Sequence, residues 1–330
     1  MAKSALIIGG SGQIGRATAA ALAGQGWQVT ATHRDGPAPS MTDLAWLVFD
    51  RDEPGALARL TARGFDAVID TVAFDDRHAG QLLEIQDDVG AFVVVSSASV
   101  YCDDRGRSLD EARGGGFPYL PEPIAETQAT VTPGPETYST RKVALEQALL
   151  QGARRPVVIL RPCAIHGPGS RAPREWFFVK RILDGRTIAP LAFNGESRFH
   201  TSATANIAAL VGVALRDPAT AVLNAADPEA LSARAIGEAI SALYGGALKI
   251  APFEGPPVDG VGSHPWCTPR PFVLDMTAAA ALGYQPITDY LGAVGASARG
   301  AEASAAAGVA FAPYLATMFD YAGEDIFLSR

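Results

Sequence analysis

Lys3-Ser-Ala-Leu-Ile-Ile-Gly-Gly-Ser-Gly-Gln-Ile-Gly15 stands at the start of the chain and decides how the rest is read. Ala5 to Ile8 is a short apolar run with the character of a buried parallel strand. It breaks at Gly9, and a helical pattern of Ile14, Ala17, Ala21 and Leu22 follows at once. Gly9, Gly12 and Gly15 occupy the turn at three-residue intervals. A strand that passes through a glycine turn into a helix aims backbone N–H groups and the positive helix end at one point. Glycine lets an anion approach the backbone and lets helix and strand pack closely, so the stretch predicts a dinucleotide site. An empty tight turn would use the same glycines; the flanking strand and helix favour the nucleotide.

The 330 residues, 48% of them hydrophobic, suffice for a full core and two lobes around one cleft. Only Met1 and Ala2 precede the first strand segment, so no leader peptide is expected. The longest apolar stretch, Ala203 to Leu215, contains Asn206 and is too short to span a bilayer. Cys102, Cys163 and Cys267 are odd in number and far apart, which suggests neither a disulfide framework nor a metal site. A cytoplasmic protein is the expectation. The net charge of −8 argues against nucleic acid as the main partner. Only four residues are lysines (Lys3, Lys142, Lys180 and Lys249), which makes a well-placed one worth inspecting.

Strands are expected at Trp27 to Thr32, Ala45 to Phe49, Asp66 to Asp70, Ala91 to Ser96 and Pro156 to Leu160, alternating with helical patterns. With the first strand they imply an α/β fold, a doubly wound parallel (Rossmann) sheet. A polar insert, 103–135, reads as a surface excursion or lid. Beyond Arg161 the pattern predicts helices at Arg174 to Leu183, Ala203 to Leu215 and Ser232 to Leu243, the last capped by Ser232, and a strand at Ala221 to Asn224. Gly295 to Gly308 is rich in Ala, Gly and Ser and reads as a flexible link or weak helix. Tyr314 to Leu328 reads as one closing helix. The division expected is a dinucleotide-binding domain, 1–165 joined by roughly 203–225, and a smaller C-terminal substrate lobe, 166–202 with 226–330.

Tyr138 and Lys142 lie four apart on the helix predicted after the insert, hence on one face. A tyrosine exchanges a proton with an alcohol only if its pKa, near 10 when free, is lowered. A lysine ammonium one turn away stabilises the phenolate. A plain surface pair has the same spacing, and the nucleotide motif upstream weighs for chemistry.

Gly9-x-x-Gly12-x-x-Gly15, Ser96-Ser97-Ala98-Ser99-Val100-Tyr101, Tyr138-x-x-x-Lys142, and Arg161-Pro162 followed by His166-Gly167-Pro168-Gly169 occur in that order. Together they resemble the extended short-chain dehydrogenase/reductase family, the NAD-dependent epimerase/dehydratases, over residues 4–225. The resemblance implies that Tyr138 is the general acid/base, that Lys142 holds the nicotinamide ribose and tunes Tyr138, and that Ser97, chosen over Ser99 by alignment on Val100-Tyr101, hydrogen-bonds the reacting oxygen. It also implies cofactor contacts from Gly9, Ser11, Gly12, Gln13, Ile14 and Gly15, from Asp50 near the adenine ring, and from Pro162 and Ile165 beside the nicotinamide. His166 in that segment is expected to be packed or hydrogen-bonded.

His33-Arg34 ends the second strand, where the adenine ribose belongs. A guanidinium there suits the 2′-phosphate of NADP, where a carboxylate would select NAD. NADP is therefore the expected cofactor, with NAD the alternative; Arg16 would add to the preference and Asp35 would weaken it. Arg171, Trp176, Arg198 and His200 are the residues expected to meet a small-molecule substrate. Two departures set this chain apart from sugar-nucleotide enzymes of the family: Asp75-Asp76-Arg77-His78-Ala79-Gly80 replaces an Asn-x-x-Gly-Thr stretch, and Pro162-Cys163-Ala164-Ile165 lacks the Asn expected there. The function expected is hydride movement between nicotinamide and a carbinol or ketone carbon, epimerase/dehydratase-like, with NADPH-dependent carbonyl reduction as the alternative. The run from His166 to Phe178 also resembles a subgroup that includes chloroplast stem-loop RNA-binding proteins, which supplies an RNA-binding alternative. A homodimer is compatible with either class.

Overall fold

A computed structural model describes residues 2–34, 44–114 and 116–329. The elements in chain order are β1 (Ser4–Ile8), α1 (Gln13–Gly24), β2 (Gln28–His33), β3 (Ala45–Val48), α2 (Ala56–Thr61), β4 (Phe65–Asp70), α3 (Asp76–Glu84), β5 (Val89–Val95), α4 (Tyr138–Gly152) and β6 (Val157–Pro162). There follow β7 (Ala164–His166), α5 (Trp176–Leu183), β8 (Ile188–Leu191), β9 (Thr201–Ala203), α6 (Thr204–Ala214) and β10 (Ala221–Ala225). The chain ends with α7 (Ala233–Leu243), β11 (Lys249–Pro252), α8 (Thr277–Ala281), α9 (Tyr290–Ala306), α10 (Pro313–Ala316) and α11 (Tyr321–Leu328).

The first compact unit comprises Met1–Cys163, Thr204–Ala226 and Leu274–Ile287. Its sheet has the order β10-β6-β5-β4-β1-β2-β3, and every pairing is parallel. The central strands are apolar throughout because helices cover both faces: Ala5 to Ile8, Ala67 to Ile69 and Val93 to Val95 are all buried. Leu6, Ile8, Val68, Phe92 and Val94 pack with Leu145 and Leu149 of α4 into one core. Strand order reverses at β1, whose neighbours are β2 and β4. The carboxyl ends of β1 and β4 therefore flank the topological switch point, where open sheets of this kind leave a crevice for ligands. The 103–135 insert is anchored as well as polar. Asp103, Ser108, Phe117 and Ile124 are buried, and Asp103 accepts from the backbone N–H of Arg105, Arg107 and Tyr119. Residues 274–287, which the sequence pattern assigned to the smaller lobe, group with the sheet.

The second unit comprises Ala164–Ala203, Asp227–Val273 and Thr288–Arg330. Phe177, Phe178, Ile236, Ile240, Trp266, Val294 and Ala298 form its core. Two sequence expectations are resolved here. Residues 295–308 form not a flexible link but the helix expected as its alternative: Tyr290–Ala306 is continuous, with Asp289 as its N-cap. Alanine is the best helix former, and Val294, Ala298 and Ala301 give the helix a buried face that the low-complexity composition conceals. The small residues also permit close approach, since a Cβ on Gly300 would lie 3.0 Å from the Pro168 Cα. The C-terminal stretch is likewise not one helix. Pro313–Ala316 ends at Thr317, and α11 restarts at Tyr321 behind the Asp320 cap, whose carboxylate accepts from Gly323 N–H.

Asp227 is the hub of this unit. Its carboxylate accepts from His166 Nε2 at 2.8 Å, Thr201 Oγ1 at 2.7 Å and the Ala203 N–H at 2.7 Å, and its carbonyl accepts from His200 Nε2 at 2.8 Å. Burial alone would raise the carboxyl pKa, but the three donors win and hold it at about 2. A folded-state value below the ordinary 3.8 means stability that is present above pH 4 and lost as pH falls through about 2. Asp227→Asn should therefore cost about 2 kcal/mol near neutrality, and the cost should shrink between pH 4 and pH 2. Urea denaturation across that range tests it; a cost independent of pH would contradict it.

Candidate active site

The glycine turn has the shape its composition predicts. Gly9 has φ +82°, which disfavours any side chain, and a Cβ there would meet Val72 Cγ1 at 2.5 Å and Thr71 Oγ1 at 2.6 Å. A Cβ on Gly15 would collide with the Gly9 carbonyl oxygen and lie 2.7 Å from the Gly10 Cα. Gly12 is the N-cap of α1, with no side-chain cap and no acidic residue in the first turn. A helix start that supplies neither its own capping oxygen nor an internal anion leaves its N–H groups and dipole for an external one. Ser11, Gln13 and Ile14 complete this turn, and Ile14 and Gly15 are buried against the sheet. These residues fit a pyrophosphate. Arg16, by contrast, spends its Nε on the Ser11 carbonyl at 2.8 Å and so closes the loop.

At the end of β2, His33 is buried with its ring 5.6 Å from Trp46, and Arg34 follows as an exposed residue. Asp35 and the Pro-rich loop after it lie outside the described residues. Asp50 is exposed just past β3, and its carboxylate accepts from the Asp52 N–H at 3.0 Å.

Tyr138 and Lys142 come from the first turns of α4, which begins where Thr137 and Thr140 form a reciprocal cap. Asp110 reinforces that helix start, accepting from Thr137 Oγ1 at 2.5 Å and the Ser139 N–H at 3.3 Å. The Lys142 side chain runs inward. Its Nζ donates to the Ala73 carbonyl at 2.6 Å and the Val95 carbonyl at 3.0 Å, at the ends of β4 and β5. Burial pushes its pKa down to about 8, against the charges of Asp70, Glu146 and Asp75, which favour the ammonium. The ammonium lies 5.8 Å from the centroid of the Tyr138 ring.

The ring of Tyr138 also packs on Phe74 at 5.7 Å, yet 45% of the residue is exposed. Burial raises the phenol pKa, the Ser97 hydroxyl lowers it, and the balance stays above the ordinary value. Ser97 follows β5, with its Oγ accepting from the Ser99 N–H at 3.2 Å, so its own proton points elsewhere. Ser97, Tyr138 and Lys142 are thus brought together by the end of β5 and the start of α4. Pro162 is buried at the end of β6 in the same unit.

The remaining expected residues belong to the second unit. Ile165 and Trp176 are half-buried, and Trp176 packs edge-on against Phe311 at 5.3 Å. Arg171 is exposed, and Arg198 is half-buried. His200 is buried with Nε2 on the Asp227 carbonyl, and the same burial lowers its pKa. His166 is hydrogen-bonded between Asp227 and Ser297. Among the described residues no cluster of His, Cys, Asp and Glu is arranged to hold a metal, and no helix is long and apolar enough to cross a membrane.

Sequence inspection missed Asp70, Arg51 and Thr71. Thr71 Oγ1 donates to the Ile8 carbonyl at 3.0 Å and ties the end of β4 to the glycine turn. Arg51 and Asp70 form a buried ion pair at 2.9 Å. The one available signal was a charged residue ending the apolar run Ala67-Val68-Ile69.

Residues 5–224 match the model of the NAD dependent epimerase/dehydratase family. The chain belongs to that family. As an enzyme it is of the short-chain dehydrogenase/reductase type and works with a nicotinamide dinucleotide. No curated protein matches the sequence. Among solved structures, the Bordetella bronchiseptica enzyme WbmH in complex with NAD+ superposes with a TM-score of 0.71 at 16% identity, covering 92% of this chain and 99% of that one. MoeE5 in complex with UDP-glucuronic acid and NAD gives 0.67 at 18% identity, covering 91% and 99%. UDP-glucuronic acid 4-epimerase from Bacillus cereus gives 0.67 at 16% identity, covering 91% and 99%. At these identities the likeness is one of fold, and this epimerase/dehydratase shares its architecture with them over nearly their whole length.

The crowding at Gly15 supplies a direct test. Gly15→Ala should destabilise the protein by about 1–3 kcal/mol, because the new methyl meets backbone that cannot swing aside. It should weaken NADH and NADPH binding together. A melting temperature and affinities equal to the parent's would show that the turn is looser than drawn.

Proposed function

We propose that this epimerase/dehydratase moves a hydride between a nicotinamide and the carbinol or ketone carbon of a small, polyhydroxylated substrate, with Tyr138 as the acid/base. The observation that carries this reading is the buried Lys142 ammonium beneath the Tyr138 ring, with Ser97 on the phenol. The dinucleotide, when held by the turn from Gly9 to Gly15, supplies the hydride acceptor or donor.

The chain's own residues then account for the proton. Tyr138 takes the proton of a substrate hydroxyl, or returns one to a carbonyl oxygen, from a ring that solvent and substrate reach on its exposed side. Left to burial alone the phenolate would be disfavoured. The Ser97 hydroxyl lowers the phenol pKa against that burial, and on this reading the Lys142 ammonium, fixed by two carbonyls 5.8 Å from the ring centroid, favours the phenolate further once the site is closed to water. Ser97, whose oxygen accepts from the Ser99 N–H, turns its hydroxyl proton to the phenol oxygen and, on this reading, to the substrate oxygen when substrate lies between them. Helix α4 aligns all of this, and its Thr137 cap fixes where the phenol stands.

On this reading, Lys142 also binds the nicotinamide ribose, while Asp50 and Pro162 line the rest of the dinucleotide. Arg34 gives the reading its NADP preference: it is an exposed guanidinium directly after β2, where the adenine ribose of such a fold lies. Arg171, Trp176 and Arg198 remain the candidate substrate contacts, whereas His200 is buried on the Asp227 carbonyl, and the UDP-sugars bound by MoeE5 indicate the chemical class to try first.

Tyr138→Phe keeps the ring and its packing on Phe74 but removes the exchanging proton. Turnover should fall by about 10²–10⁴-fold while dinucleotide binding persists. Candidate UDP-sugars and simple ketones, assayed with nicotinamide absorbance and with product analysis, also separate an epimerase from a net reductase. A variant that binds dinucleotide and turns over like the parent would remove Tyr138 from the mechanism. Arg34→Asp should reverse the ratio of NADPH to NADH dissociation constants, because it sets an anion beside the 2′-position. An unchanged ratio would assign the preference elsewhere.

A further inference from the structure

We infer that Asp70 is a positioning residue for Lys142, and that Arg51 and Asp70 act as one buried clamp linking the turn after β3 to the catalytic ammonium. This rests on the role given to Lys142 above.

Asp70 is fully buried at the carboxyl end of β4, beside the switch point of the sheet. Its Oδ2 accepts from Arg51 Nη1 at 2.9 Å, and its Oδ1 accepts from the Val72 N–H at 2.9 Å. Arg51 spends Nε and Nη2 on Gln81 Oε1, both at 3.1 Å, and Gln81 Nε2 returns to the Arg51 carbonyl at 2.8 Å. Each donor-bearing nitrogen of the guanidinium is thus committed. The four residues Asp70 to Ala73 then serve three partners. Asp70 holds the clamp, Thr71 bonds the end of β1, and the Ala73 carbonyl receives the Lys142 ammonium. The strand end that places the acceptor for Lys142 is therefore the same one the clamp fixes.

The charges agree with the geometry. The groups facing Lys142 are Asp70 from β4, Asp75 from the turn into α3, Arg51 from the turn after β3, and Tyr138 and Glu146 from α4 itself. From β5 comes the Val95 carbonyl. Glu146 is already paired with Arg161 at 2.5 Å, and Asp75 caps α3 by accepting from the His78 N–H. Asp70 is the largest influence keeping the ammonium charged, and Arg51 opposes it. Removing the Asp70 carboxylate would leave both cations without it. Removing Arg51 alone would leave the carboxylate to favour Lys142 more strongly.

With only four lysines in the chain, the ¹³Cε signals of uniformly ¹³C-lysine-labelled protein are few enough to titrate singly. Lys142→Arg identifies the signal of interest. In Asp70→Asn, a near-isosteric change, the Lys142 midpoint should fall by about one pH unit or more. In Arg51→Gln it should rise. With a working substrate, the limb of the kcat profile set by Lys142 should move with the midpoint, while KM changes little. A Lys142 midpoint unmoved in either variant that still binds dinucleotide overturns the proposal. If Asp70→Asn does not fold, Arg51→Gln carries the same test. Midpoints that move in a protein without turnover would uphold the clamp while removing the catalytic reading of Lys142, so the two fail separately.

Discussion

A lysine ammonium buried to 5% exposure has to be answered by oxygen atoms, and in this protein the answer organises the active half of the molecule. Lys142 reaches from α4 to the carbonyl of Ala73, in the turn just past β4, and to that of Val95, the last residue of β5. The first of these strands, β4, lies beside β1, where the doubly wound sheet reverses order. The same reversal places the glycine turn after β1 next to the end of β4, with Thr71 bonded across. One polar contact thus registers the helix that bears Tyr138 against the turn that fits a pyrophosphate. A hydrophobic contact would have held α4 to the sheet as firmly, but it would not have set the charge beneath the phenol.

That arrangement depends on an apolar frame around it. Leu145 and Leu149, one and two turns beyond Lys142, pack into the core with Val68, Phe92 and Val94. The helix therefore cannot rotate without exposing them, and each fully buried leucine is worth about 1.5–3 kcal/mol. Packing supplies the stiffness, and the polar groups at the strand ends use it. In the second unit the logic differs: Asp227 gathers donors from β7, β9 and the residues beside them around one buried carboxylate. Small-residue helix α9 closes on that hub through Ser297.

Much of this was legible in the sequence because parallel strands and glycine turns leave strong local marks. Ala5 to Ile8, Val93 to Val95 and Gly9 to Gly15 announce themselves, and Tyr138 with Lys142 stands out by helical spacing taken together with the nucleotide motif upstream. The structure gathers Ser97, Tyr138 and Lys142, while it commits His200 to the backbone of Asp227. What escaped notice was non-local. Helix α9 is written mostly in alanine, glycine and serine, so its buried face exists only once Phe177, Ile236 and Ile240 are in place around it. The break between α10 and α11 follows from the Asp320 cap rather than from any loss of apolar spacing. Arg51 looks like a solvated turn residue and Asp70 like the last residue of a strand until the fold brings them together at the carboxyl end of β4. Charge pairing across nineteen positions has no periodicity for a reader of sequence to find.

The first unit is not contiguous in the chain, and this has a consequence for how the protein is made. A ribosome delivers β1 to β6 as one run, but β10, which pairs with β6, arrives only after the first segment of the other unit. Until then β6 is the outer strand of an unfinished sheet, with unpaired N–H and C=O groups and a buried-type sequence, Val157 to Leu160. Such an edge is a template for pairing with another nascent chain. The arrival of Asn224 ends that interval in two ways at once, completing the ladder beside Arg161 and accepting the Tyr101 hydroxyl at 2.6 Å. The order of synthesis therefore leaves this enzyme most vulnerable to misassembly during the stretch when Ser97, Tyr138 and Lys142 have already been translated.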